Sequence, residues 1–250
     1  MDRITNYKLQ TDQAGLWFIG QSGFVIKSCG KTVVIDPYLS DSVAKVSPRL
    51  GRAFAVPLEP THLKADIFIV THDHLDHLDP ETIEAYQYKD STIFVGPRFA
   101  CRKLIELNIP EKNVVKIDVG ESKKVEGVEI TGVYTVPNEA SVIDTAGYKI
   151  EFKNGRSVYH TSDTDLSPLV LEGAPEAEVM LVCINGNWGN LNIGKAVELA
   201  GKVKPRFAIP HHYDVMELNS ENPDVFEYQM SYANPEIEVK ILKVMGPFVW

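Results

Sequence analysis

The run Thr71-His72-Asp73-His74-Leu75-Asp76-His77 constrains this chain more than any other feature. It holds three of the seven histidines, with Asp76 in phase between the second and third. Two imidazoles one residue apart can grip one ion from a tight loop. The aspartate and third imidazole that follow can turn towards a second. Imidazole nitrogen and carboxylate oxygen without thiolate suit Zn²⁺, Mn²⁺ or Fe²⁺ better than they suit a structural thiolate zinc site. The competing reading is a solvated polar loop with chance histidines, and the context argues against it. Residues 65–70 are apolar and β-branched and read as a buried strand. The loop is therefore delivered to a strand's carboxyl end, where α/β folds place their chemistry. Asp79 then reads as an N-cap and Pro80 as the first residue of a helix, so the cluster is seated between strand and helix.

A cluster near residue 75 needs partners from other strand ends. Tyr159-His160-Thr161-Ser162-Asp163-Thr164-Asp165 follows an apolar strand and offers Asp163, with Asp165 the weaker candidate. A carboxylate between two ions can bridge them and hold the spacing that two-metal hydrolysis needs. An Asp-turn at a strand end is the plainer alternative. His160 lies on the strand itself and reads as a packed imidazole. Ile209-Pro210-His211-His212-Tyr213-Asp214 ends another strand. Adjacent side chains on extended backbone point opposite ways, so one of His211 and His212 is expected to face the ions. His62 has no such setting and reads as a surface or capping residue.

The 250 residues suffice for one large core, and no linker divides them. The apolar runs are too short to span a membrane, and the start lacks the profile of a signal peptide. Cys29, Cys101 and Cys183 are odd in number and far apart, as expected of free thiols in a reducing cytoplasm. A net charge of −9 argues against a nucleic-acid binder but leaves room for a small anionic substrate, because bound cations invert the local sign. Strands are expected at 16–19, 24–28, 32–35, 67–70, 92–95, 128–136, 147–152, 157–160, 179–184, 207–209 and 239–244. Helices are expected at 98–107, 194–202 and 224–233. This count suits two mixed β-sheets packed face to face with helices outside. The apolar C-terminal stretch, residues 244–250, suggests docking on the core or on another subunit of a homo-oligomer.

The His-x-His-x-Asp-His pattern at His72, His74, Asp76 and His77 resembles that of metallo-β-lactamase-fold hydrolases. More narrowly, the chain resembles the L-ascorbate-6-phosphate lactonases and their relatives. The similarity runs through Trp17-Phe18-Ile19-Gly20-Gln21-Ser22-Gly23-Phe24, Ile35-Asp36-Pro37-Tyr38, Phe94-Val95-Gly96-Pro97 and Ile184-Asn185-Gly186-Asn187-Trp188-Gly189-Asn190. The resemblance implies a four-layer αββα sandwich. It implies one ion on His72 and His74 and a second on Asp76, His77 and His212, bridged by Asp163. Asp36 would orient a histidine by accepting its other N–H.

One departure stands out. The family supplies a further histidine to the first ion from a stretch that corresponds here to residues 134–144, which contain none. Asn138 or Glu139 would substitute through oxygen, or the site would carry one ion. The glycine usual before the bridging aspartate is Ser162. The expected activity is hydrolysis of a sugar-acid lactone or related small anionic ester by a metal-activated water, with Asp76 and Asp163 as catalytic carboxylates. A phosphate handle would fall to Arg49, Arg52 or the backbone N–H groups of residues 185–190, with Asn185 and Asn190 as substrate contacts. Two alternatives remain open: a small-molecule phosphodiesterase, and a non-catalytic binding protein with a degenerate site.

Overall fold

The computed structural model describes residues 2–137 and 142–250. Alternation along the strands decides its layering. In β1 (Ala14–Gly20), Leu16 and Phe18 face one way and Trp17 and Ile19 the other, and all four are buried. The same split continues through β2 (Gly23–Ser28), β3 (Lys31–Ile35) and β4 (Ile67–Ile69). Phe24, Ile26, Val33, Ile35, Ile67 and Ile69 join the first set, and Val25, Val34 and Phe68 the second. A sheet apolar on both faces must be covered on both.

The sheet is completed by β5 (Ile93–Gly96) and β6 (Val114–Lys116), with β3 to β6 parallel and β1 to β3 antiparallel. The second sheet mirrors this division. Strands β7 (Ser122–Val125), β8 (Val128–Val133), β9 (Gly147–Glu151) and β10 (Ser157–His160) are antiparallel. From β10 the sheet continues parallel through β11 (Val179–Cys183), β12 (Phe207–His211) and β13 (Glu238–Val239). A last strand, β14 (Pro247–Val249), pairs antiparallel with β1 on the first sheet.

The inner faces share one core, in which Phe18, Ile26 and Ile69 meet Ile130, Tyr148, Leu181 and Ile209. The N-terminal turn α1 (Asp2–Thr5) tucks Ile4 against the outer face of the first sheet, and α2 (Ser42–Val46) follows β3. Helices α3 (Pro80–Ala85) and α4 (Arg98–Glu106) cover that outer face through Ile83, Ala100 and Leu104. The second sheet is covered by α5 (Pro168–Gly173), α6 (Ile193–Val203) and α7 (Pro223–Ala233), through Val170, Leu199, Phe226 and Met230. The molecule is thus the four-layer αββα sandwich of the metallo-β-lactamase fold. Among the described residues no helix is long and apolar enough to cross a membrane. Cys29, Cys101 and Cys183 are free thiols.

Two expected strands need correction, and one strand was not expected. Of the apolar run 239–244 only Val239 lies in a strand, β13: after Lys240 N–H donates to the Ala208 carbonyl, the chain leaves the second sheet for the first. Ile241, Leu242 and Val244 are apolar because they pack on the inner core during that crossing. The segment ends as β14 on its own core, with Trp250 buried. The strand expected over 128–136 stops at Val133, where the chain turns outward and Val136 N–H bonds Thr164 Oγ1. Strand β7 escaped notice because Ser122, Lys123 and Lys124 are exposed, a polar edge with no apolar run. Asn138 and Glu139, the suggested oxygen substitutes, lie outside the described residues.

Gly147 lets β9 approach the end of β10, whose following loop carries Asp163. A Cβ there would sit 2.9 Å from the His160 carbonyl oxygen and 3.2 Å from that of Thr161. Gly147→Ala is expected to cost about 1–3 kcal/mol, as overpacking against backbone does. Urea unfolding checks this, and an unchanged midpoint would show that the strands can part freely.

Candidate metal centre

The carboxyl ends of β3, β4, β10 and β12 converge, and each is followed by a residue whose side chain enters one cluster. Several of these turns need unusual backbone. Asp36, Ser162 and His212 have φ of 44°, 59° and 66°, and Gln21 in the β1–β2 turn has 55°. Left-handed backbone at residues other than glycine is disfavoured, and it concentrates where a site over-determines the conformation. Ser162 adopts the conformation that a glycine would supply without strain, and its hydroxyl lies 3.4 Å from His72 Nδ1.

Asp36 is completely buried. Its Oδ1 accepts the Thr71 N–H at 2.8 Å, and its Oδ2 accepts the Thr71 hydroxyl at 2.6 Å and His77 Nδ1 at 2.7 Å. These bonds fix which nitrogen each of two rings turns to the cluster. His77 donates from Nδ1, which leaves Nε2 facing the cluster. The Thr71 hydroxyl, having donated to Asp36, accepts from His72 Nδ1 at 3.0 Å and leaves His72 Nε2 free in the same way. Asp79 caps α3 by accepting Glu81 N–H at 3.2 Å, so the histidine loop is anchored at both ends.

Two groups of potential ligand atoms result: His72, His74 and Asp163 in one, and Asp76, His77 and His212 in the other, with each group's atoms within 4.8 Å of one another. Asp163 touches both. Its Oδ1 lies 3.5 Å from His77 Nε2 and 3.2 Å from His212 Nε2. Asp76 Oδ2 lies 3.8 Å and 3.6 Å from the same two nitrogens. An ion with metal–ligand distances of 2.0–2.1 Å in tetrahedral geometry would set its ligands about 3.3–3.4 Å apart. The four spacings between the carboxylate oxygens and the two imidazole nitrogens, 3.2–3.8 Å, lie close to that value. His77 Nε2 and Asp163 Oδ1 are moreover buried and complete no hydrogen bond, an arrangement that a cation would satisfy. The residues therefore fit a divalent ion. In the first group His72 Nε2 and His74 Nδ1 lie 2.9 Å apart.

Of the other expected residues, Asn190 donates from Nδ2 to Asp163 Oδ2 at 2.8 Å and so positions the carboxylate. Asn185 is buried and donates to Asn219 Oδ1. The loop between them is a tight turn: Gly186 and Gly189 have φ of 67° and 79°, and the Gly186 and Asn190 N–H groups bond the Leu191 and Asn187 carbonyls. Arg49 is exposed and does not line the cleft above the cluster. Arg52 is turned away, donating to the carbonyls of Tyr38 at 2.9 Å and Phe54 at 3.3 Å. His160 is packed as expected, stacked on His211 and donating from Nε2 to the Ser22 carbonyl at 2.9 Å. Of the histidine pair, His212 enters the cluster and His211 turns to Ser22 Oγ. Asp165 pairs with Lys195, and His62 is exposed.

Gln21, in the turn between β1 and β2, was not among the expected site residues and belongs to the site. Its Nε2 donates to Asp76 Oδ2 at 2.8 Å and lies 3.1 Å from His212 Nδ1. The signal was a long polar side chain in a turn between two largely apolar strands.

The cluster splits its histidines electrostatically. Burial holds His72, His160 and His211 below the usual histidine range, with neighbouring imidazoles adding to the shift at His72 and His211. Burial acts the same way on His77, but Asp163, Asp76 and Asp36 outweigh it and raise His77 well above that range. Asp163 resists burial too, held well below the carboxylate range by His212 and His77. The three depressed histidines stabilise the fold above pH 6.5, their unfolded value, and that stability is lost as pH falls below it. The contribution of His77 is complete below pH 6.5 and is lost as pH rises through its elevated folded value. Stability of the metal-free protein should therefore peak near pH 6.5. Unfolding in chelator across pH 4.5–9 (a window of about two units either side of the reference histidine value) measures this, and a monotonic profile would contradict it.

Comparison with known proteins agrees with this geometry. Residues 31–213 match the beta-lactamase superfamily domain. A UPF0173 metal-dependent hydrolase of Methanopyrus kandleri is 30% identical over 241 residues, covering 90% of this chain and 95% of that protein. One of Archaeoglobus fulgidus is 28% identical over 236 residues, covering 90% and 94%. Among solved structures, a metallo hydrolase of Ignicoccus hospitalis superposes with a TM-score of 0.76 at 20% identity, over 95% of this chain and 98% of that one. An isothiocyanate hydrolase from Delia radicum gut bacteria does so with 0.75 at 16% identity, over 94% and 98%. With its His/Asp clusters and this sandwich, the chain belongs to the metallo-β-lactamase superfamily, among the UPF0173 metal-dependent hydrolases.

Proposed function

We propose that the chain hydrolyses a small carboxylic ester, lactones included, using one or two divalent transition-metal ions (Zn²⁺ or Mn²⁺) held by His72, His74, Asp76, His77, Asp163 and His212. The observation that carries this reading is the convergence of both ligand groups on Asp163 at the base of a cleft of about 310 Å³. An ion bound there supplies a water of lowered pKa and an electrophilic contact for the carbonyl oxygen. The chain's own residues do the rest. Asp163 ties the two groups together while Asn190 holds its second oxygen, and Gln21 fixes Asp76. Asp76 and Asp163 both line the cleft, so a carboxylate is at hand to take the proton that this water gives up and return it to the leaving oxygen. The cage of Asp76, His77, Asp163 and His212 fills first, because it brings four donors where the described residues bring three to the other group.

The resemblance to ascorbate-6-phosphate lactonases supports a lactone as the cyclic form of such an ester. A phosphate handle has less support, because neither Arg49 nor Arg52 lines the cleft. The same fact weighs against a phosphodiester, whose non-bridging oxygens call for cationic side chains beside the ions.

A panel of lactones, aryl esters and phosphodiesters tests the proposal. Ester or lactone turnover should vanish with chelator and return with Zn²⁺ or Mn²⁺. Asp163→Asn should lower kcat by about 10²–10³-fold, the scale of losing one preorganised electrostatic contact. Turnover of phosphodiesters alone would replace this reading, and no turnover by the metal-loaded protein would favour a binding protein.

A further inference from the structure

We propose that the part of the substrate lying beyond the scissile acyl bond is uncharged and apolar, an aliphatic or aromatic group seated on the outer wall of the cleft. The inference rests on the ester reading above for the reacting bond and adds what the protein recognises around it. Three features carry it.

The wall is largely apolar. Val43, Val46, Leu50, Leu75, Trp188 and Met216 all line the cleft, and the polar residues Ser47, Asn190 and Asn219 beside them are uncharged. Val46 is 77% exposed and Trp188 50% exposed, a large cost for apolar side chains unless something covers them. Both border the cleft that holds His74, Asp76 and Asp163, so the apolar surface is continuous with the reacting end.

Trp188 is also placed deliberately. It sits at φ 47° between Gly186 and Gly189, both left-handed, in a turn closed by the Asn190 N–H to the Asn187 carbonyl. An aromatic residue in that conformation is strained, and the turn holds its ring at the cleft.

Finally, charge is complementary to a neutral group. No lysine or arginine is among the described residues that line the cleft, whereas two aspartates are. Lys45, on the same short helix as Val43 and Val46, is tied to Glu81 at 2.7 Å. Arg52 does not line the cleft either: its Nε and Nη1 donate to the Phe54 and Tyr38 carbonyls, and it lies over the rings of Tyr38 and Phe54, 5.1 and 5.2 Å from their centroids. A carboxylate or phosphate placed against this wall would lose water without gaining a partner.

The experiment compares p-nitrophenyl acetate, butyrate and hexanoate with p-nitrophenyl hemisuccinate and hemiadipate, which carry a terminal carboxylate on chains of similar length. The metal-loaded protein should gain about two- to fourfold in kcat/KM for each methylene added, the upper figure being about 0.8 kcal/mol per fully buried methylene. The charged esters should fall at least about tenfold below their neutral counterparts, the equivalent of 1.4 kcal/mol or more. Val46→Lys, an exposed change on the wall, should narrow that gap. Flat chain-length dependence, or charged esters matching neutral ones in the unmodified protein, would overturn the inference. Calorimetric binding of hexanamide and adipamic acid separates the two readings, because neither needs to be turned over. Preference for hexanamide without ester hydrolysis would sink the ester reading and keep the apolar seat. Preference for adipamic acid would sink the seat whatever the esters do.

Discussion

A single buried carboxylate organises this centre. Asp36 stands at the end of β3 with no exposure to solvent, and its two oxygens take three hydrogen bonds from Thr71 and His77 on the neighbouring strand end. A buried carboxylate left unpartnered would cost several kcal/mol, so the fold must keep both partners in place. That requirement sets the ring orientations of His72 and His77 and aims both Nε2 atoms at the same space. The metal-binding character of the histidine run therefore depends on a residue some forty positions upstream and brought to it by parallel pairing of β3 with β4.

The remaining donors arrive by the same device on the other sheet. There β10 and β12 lie parallel about β11, and each ends in a left-handed residue that bends the chain inward, Ser162 before Asp163 and His212 itself. The β1–β2 turn braces this edge: Gln21 accepts the His212 N–H at 2.8 Å through its carbonyl and reaches Asp76 through its amide. Backbone strain and unsatisfied polar atoms thus fall together around one point. Both are costs in the empty protein, and both are offset when an ion joins the atoms they present.

Much of this was legible in the chain. His72, His74, Asp76 and His77 are contiguous, and Asp163 and His212 each follow a short apolar strand, so local pattern sufficed to nominate them. The choice of His212 over His211 came through resemblance, as did Asp36, since a strand-end aspartate carries no mark of its own. What escaped depended on tertiary placement. Gln21 looks like any turn residue until His212 folds over it. Arg49 and Arg52 were indistinguishable from phosphate ligands until one faced solvent and the other met the carbonyls of Tyr38 and Phe54. The run 239–244 matched a strand because crossing a core and lying in a sheet demand the same apolar residues. The polar edge strand β7 was silent for the opposite reason.

The account turns on which atoms take the first ion. Anomalous diffraction at the zinc edge, on crystals of protein carrying one equivalent of Zn²⁺, answers this directly. A single peak enclosed by Asp76 Oδ2, His77 Nε2, Asp163 Oδ1 and His212 Nε2 is the predicted result. A peak held by His72 and His74, with the four-atom cage empty, would contradict it.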